Sequence, residues 1–323
     1  DVTTMQGLHT RVFLAAALML IAGSSNAQVD ETIPSQPLNA VTAEESAYFV
    51  NLDGDSATTV EPALFVVPGA SFIKVHFSEF DVPHGVQVEV SNPDGSEAYR
   101  YMRGYKDAHT IDRSRGDDGA HSFSAMSISG DTAVVRVRDF NEGFGSRSWR
   151  ILVDTVLHGT SPRPTTQAEG PITKALDKNL SKPEFACGVE ERLDAACWKE
   201  DFPDHYDRSK PVAKLVTSRG FECTAWRVSD DNRLFTAEHC ISNHEELEGT
   251  EIWFNYESKS CGSSVSRSIA KVTGNQLLAT DRTLDYSLFT VNDFEIIQGF
   301  GNLGLDVRKG SVGENIFIPQ HGL

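Results

Sequence analysis

Apolar residues recur at every second position through much of the first half of the chain. Between 71 and 77, Ile73, Val75 and Phe77 fall on one face and Lys74 and His76 on the other; Val86, Val88 and Val90 then alternate with Gln87 and Glu89. A period of two predicts half-buried β-strands. Asn92-Pro93-Asp94-Gly95 follows directly and has the chemistry of a tight turn. Met126 and Ile128 lead through Gly130-Asp131 to Ala133, Val135 and Val137, and Trp149, Ile151 and Val153 close the series. Short strands at regular spacing with polar turns predict a β-sandwich over 43–158.

A second set of strand-like runs lies at 212–217, 223–228, 233–236, 251–256, 265–272 and 284–291. The fold class expected is therefore all-β. Between the two sets, residues 159–182 begin Gly159-Thr160-Ser161-Pro162-Arg163-Pro164 and stay polar, which reads as an interdomain linker. If maturation removes the sandwich, a cut near Lys174, Lys178 or Lys182 is the natural place. Asn179-Leu180-Ser181 is a glycosylation acceptor string, relevant only in a cell that glycosylates its secreted proteins.

The amino terminus sets the compartment. Met5 is followed by Arg11, an apolar run from Val12 to Ala22, and the small residues Gly23-Ser24-Ser25-Asn26-Ala27. That order predicts a signal peptide over 5–27, cleaved after Ala27, and hence secretion; residues 28–42 follow as an extended segment. The run is too short to span a bilayer as a stable helix, and no other segment approaches its length. The four residues before Met5 read as upstream translation or a cloning remnant.

The formal net charge of -17 divides almost evenly, -9 within 183–323 and -8 in the rest. With no basic patch, nucleic acid and anionic membranes are disfavoured as partners. Asp53, Asp55 and Asp94 form no Asp-x-Asp-x-Asp-Gly loop, so they read as turn-forming acids rather than calcium ligands.

The candidate chemistry sits in Phe235-Thr236-Ala237-Glu238-His239-Cys240 and in Leu284-Asp285-Tyr286-Ser287-Leu288. A serine hydroxyl is a poor nucleophile at neutral pH and needs a neutral imidazole as base, itself oriented by a carboxylate. His239 follows an apolar-then-small run, as at a strand end, and is the candidate base. Asp285 opens an apolar, β-branched run and is the candidate carboxylate. Taken singly, the plainer readings are a packed histidine and a turn-forming aspartate; the strings together favour the catalytic one. Cys240 can pin the turn by pairing with Cys223, seventeen positions earlier. A zinc site at Cys223, His239 and Cys240 lacks the usual Cys-x-x-Cys or His-x-x-x-His spacing.

These strings resemble the histidine and aspartate motifs of chymotrypsin-like (trypsin-like) secreted serine proteases. From about Phe185 to His321 the likeness is greatest to the bacterial lysyl endopeptidase branch, through Cys187, Cys197, Cys223-Thr224-Ala225, and Ile252-Trp253-Phe254-Asn255-Tyr256 followed by Cys261. The resemblance implies bridges Cys223–Cys240 and Cys197–Cys261, with Cys187 unpaired here because its partner would lie near the far end of the protease domain. It also implies polypeptide substrates, no metal or organic cofactor, and a fold of two six-stranded barrels with His and Asp on the first and Ser on the second.

On that reading, 183–323 hold the first barrel and the start of the second. Ser287 lies too near Asp285 to serve as nucleophile, and Ser311, in Lys309-Gly310-Ser311-Val312-Gly313, lacks a Gly-Asp-Ser-Gly pattern. The expectation is a C-terminally truncated serine endopeptidase precursor, inactive by itself. The alternatives are a non-catalytic protease homologue or an adhesion protein acting through the β-sandwich. The sandwich strings also resemble the pre-protease region of such enzymes, leaving propeptide, inhibitory cap and adhesion module open as its roles. Oligomeric state is not legible.

Overall fold

The computed structural model describes residues 43–54, 61–140, 148–160, 193–263, 267–314 and 316–321. The signal-peptide and 28–42 expectations, Asp55, the cysteine at Cys187, the glycosylation string and all but the first two residues of the expected linker lie outside them. The described chain is all-β apart from short helical turns.

Two antiparallel sheets form the amino-terminal unit. Its strands are β1 (Ala43–Gly54), β2 (Ala63–Val66), β3 (Ala70–Asp81), β4 (Val86–Ser91), β5 (Ala98–Met102), β6 (Tyr105–Lys106), β7 (His109–Thr110), β8 (Phe123–Ala125), β9 (Ile128–Ser129), β10 (Thr132–Asp139) and β11 (Trp149–Thr160). One sheet runs β1-β11-β3-β8-β7, with β9 also on β3; the other runs β2-β10-β4-β5-β6. The apolar half of each alternation points between the sheets, so Ile73, Val75, Phe77, Val86, Val88, Val90, Val135, Ile151 and Val153 share one buried core. The Asn92–Gly95 turn closes as expected: Gly95 N–H donates to the Asn92 carbonyl at 3.1 Å, with Gly95 at φ 72°. Asp94 accepts the Ser96 N–H at 2.9 Å, a turn-forming role. β11 continues through Thr160, so the first two residues of the expected linker belong to a strand.

Six strands close into a barrel: β12 (Val212–Val216), β13 (Glu222–Arg227), β14 (Leu234–Thr236), β15 (Glu251–Phe254), β16 (Ala270–Asp281) and β17 (Tyr286–Val291), ordered β12-β13-β14-β17-β16-β15. Helix α1 (Pro203–Ser209) precedes it, and α2 (His244–Glu248) links β14 to β15. Leu215, Leu234, Ile241, Ile252, Val272 and Phe289 fill the interior. The fifth strand departs from expectation. It runs 270–281 rather than 265–272, because the pairing with β17, extending to Asp281–Tyr286, holds residues beyond the apolar run in the ladder. Among the described residues after 300 there is no strand, though the Leu303 N–H donates to the Arg227 carbonyl of β13 at 2.9 Å.

The sandwich and barrel meet through the face of β3 that the alternation left polar. Lys74 and His76 were expected outside, yet both are buried, because the opposite face of their sheet is covered in turn. Phe72 packs edge-on against Trp253 of β15 with ring centroids 5.1 Å apart, alongside Val216, Leu157, Tyr256 and Ile269.

Candidate active site

His239 lies in the turn that leaves β14, and three devices fix that turn. The Cys223–Cys240 disulfide ties it to β13. The Cys240 N–H donates to the Ala237 carbonyl at 3.1 Å. Thr236 Oγ1 donates to the Thr224 carbonyl at 2.9 Å, anchoring the strand end beside the bridge. A second disulfide, Cys197–Cys261, holds the segment before the barrel to the loop after β15. Both pairings implied by the resemblance are thus present.

Asp285 sits immediately before β17, not within it, with φ at 50°. This left-handed conformation is uncommon for a side-chain-bearing residue, though aspartate tolerates it better than most. It leaves the carboxylate facing His239. Oδ1 accepts the backbone N–H of His239 at 3.1 Å, and Nδ1 lies 3.0 Å from Oδ1 and 2.9 Å from Oδ2. A carboxylate at this distance accepts and does not donate, so the ring proton facing it sits on Nδ1, and in the neutral tautomer this selects, Nε2 is the nitrogen that carries the lone pair. His239 and Asp285 keep 62% and 49% of their side-chain surface exposed, so the ring edge is open to a reactant.

Ser287 contributes a link that the sequence reading passed over. Its hydroxyl, fully buried, donates to the Ile241 carbonyl at 2.6 Å and lies 2.9 Å from Thr280 Oγ1. It therefore ties the strand carrying Asp285 to the turn carrying His239, and this bond occupies the hydroxyl that a nucleophile would need. Ser311 is exposed in a turn, where its N–H donates to Glu314 Oε2 at 3.2 Å. Among the described residues, no hydroxyl or thiol is hydrogen-bonded to His239 Nε2. The sulfurs of Cys223 and Cys240 and a ring nitrogen of His239 lie within 4.8 Å of one another, but the sulfurs are bonded to each other and offer no thiolate to a metal.

The family model for the lysyl endopeptidase C-terminal domain matches residues 190–316, which contain the whole barrel. Among curated proteins, secreted RxLR effector protein 73 of Plasmopara viticola is 23% identical over 272 residues, covering 78% of this chain and 60% of that protein. The chain thus spans less than two thirds of the length of the curated relative it matches. The likeness over the barrel segment is thus to a protease domain, and the curated relative is named as a secreted protein.

Proposed function

We propose that this chain carries the His–Asp part of a secreted serine endopeptidase of the chymotrypsin-like kind, acting on polypeptide substrates. The observation that carries the reading is the double acceptance by Asp285 of the His239 backbone N–H and ring Nδ1–H. In this role His239 Nε2 takes the proton from a serine hydroxyl as it attacks the peptide carbonyl, and returns it to the leaving amine. Asp285 keeps the ring in the required tautomer and stabilises the imidazolium that forms. Ser287 is committed to the Ile241 carbonyl and is not the nucleophile on this reading; the serine that His239 would serve is not placed against its ring by the described residues. Processing after Ala27 would release the precursor.

A second reading has one observation in its favour. The curated relative is called an effector, and His239 meets no serine among the described residues, which suits a protease-derived binding protein that works through its β-sandwich. Hydrolysis of a protein substrate by the full-length secreted product separates the two. The endopeptidase reading expects turnover that His239→Ala abolishes; a product with no turnover supports the binding protein, and turnover unchanged by that substitution overturns His239 as the base.

A further inference from the structure

The contact between sandwich and barrel is built from charges that neither unit can satisfy alone. Glu251 opens β15 and is wholly buried. Its carboxylate accepts Lys74 Nζ at 2.5 Å, Ser127 N–H at 3.0 Å and Ser127 Oγ–H at 2.6 Å, all from the sandwich, and Trp253 Nε1–H at 2.8 Å from its own strand. The reverse arrangement lies beside it. Lys271 of the barrel, its side chain 1% exposed, donates to Glu97 Oε1 at 2.6 Å and to the Ser127 carbonyl at 2.7 Å, both in the sandwich. Lys271 Nζ also stands 4.6 Å from the centroid of the Trp253 ring. At the rim, the Ile111 N–H donates to the Glu248 carbonyl and Arg113 Nε to its side chain, each at 3.1 Å.

Buried charges of this kind tolerate replacement of the whole pair, but not loss of one partner. A barrel stripped of the sandwich would hold Glu251 without Lys74, and the sandwich would hold Lys74 without Glu251. The interface is also remote from the candidate site. β15 and β14 stand three strands apart in either direction round the six-stranded ring, so the sandwich docks on the wall opposite the His239 turn. With the sandwich in place, His239 remains 62% exposed.

We propose that the β-sandwich is a resident subunit of the barrel rather than a removable propeptide or an inhibitory cap. Its binding surface is the β15–β16 face around Glu251, Trp253 and Lys271, and it stays bound there after any cut between 161 and 192. This holds whether or not His239 is catalytic.

The test inserts a site-specific protease recognition sequence between 161 and 192 of the whole chain, cuts it, and passes the product through gel filtration in 0.5 M salt. The two fragments are expected to co-elute at the volume of the uncut protein; separation into two folded fragments overturns the proposal. In the same cut protein, Lys74→Ala is expected to weaken association about 100-fold or more. Unchanged association would remove the buried pair as its basis. Should that variant fail to fold, co-elution of the cut wild type still decides the question.

Discussion

The Asp285 carboxylate meets both the backbone and the ring of His239, at 3.1 Å from N and 2.9 Å from Nδ1. The carboxylate therefore sets the histidine's tautomer and its orientation together. Asp285→Asn keeps the size of the side chain but presents an amide that can donate to Nδ1 and move the ring proton to Nε2. In the full-length product kcat is expected to fall about 10⁴-fold. With Asp285 half exposed, the melting temperature should shift by no more than a few degrees, measured on the same preparation.

Ser287 holds the two site-bearing segments together, so its loss should act on stability and catalysis at once. Ser287→Ala leaves the buried Ile241 carbonyl without its donor, expected to cost about 1–3 kcal/mol in urea unfolding. A fall in kcat/KM beyond that seen for other variants of equal stability would mark Ser287 as a positioning residue; a stability loss with unaltered kinetics would limit it to packing.

The Cys223–Cys240 bridge closes a loop of 17 residues that contains most of the hairpin leading to His239. Replacing both cysteines by serine is expected to cost about 3 kcal/mol, by comparison with loops of this length. Denaturant midpoints of the variant and the parent check it, and peptide mapping of the parent should recover this bridge together with Cys197–Cys261.

His76 makes the sandwich sensitive to alkaline pH. Burial disfavours its charged form, but hydrogen bonds to Asp117 at 2.9 Å and Asp154 at 2.5 Å outweigh that and raise its pKa above the ordinary 6.5. The neighbouring charges are Arg115, 3.5 Å from Asp154, and Lys74 on the same strand. A histidine whose folded pKa is raised contributes stability that is complete below its unfolded value and is lost as pH rises through the folded one. Urea midpoints followed from pH 5.5 to 9 should therefore decline above about 6.5, and His76→Gln should flatten that decline. A midpoint that rises over this interval in the parent alone would contradict the assignment.

Strand periodicity made the sandwich legible because its core is local: residues two apart on one strand face the same partner sheet. The same logic misplaced Lys74 and His76, since their face is covered by elements distant in sequence, with Glu251 177 positions from Lys74. The meeting of His239 with Asp285 follows from two short strings, each of which places its residue at a strand end. The role of Ser287 was not legible, because it depends on Ile241 being brought beside it by the closing of the barrel, and nothing in Tyr286-Ser287-Leu288 announces that. The bounds of β16 went astray for a related reason: its far half is held by pairing with β17 rather than by an apolar run of its own.

The central claim is that His239 serves a serine nucleophile, and a fluorophosphonate probe tests it most directly, because its phosphorus is attacked rapidly by an activated serine and the modified residue can be mapped. Labelling of the full-length secreted product should map to one serine, other than Ser287 and Ser311, and disappear in His239→Ala. No labelling of a folded full-length product, or labelling that survives His239→Ala, would contradict the account.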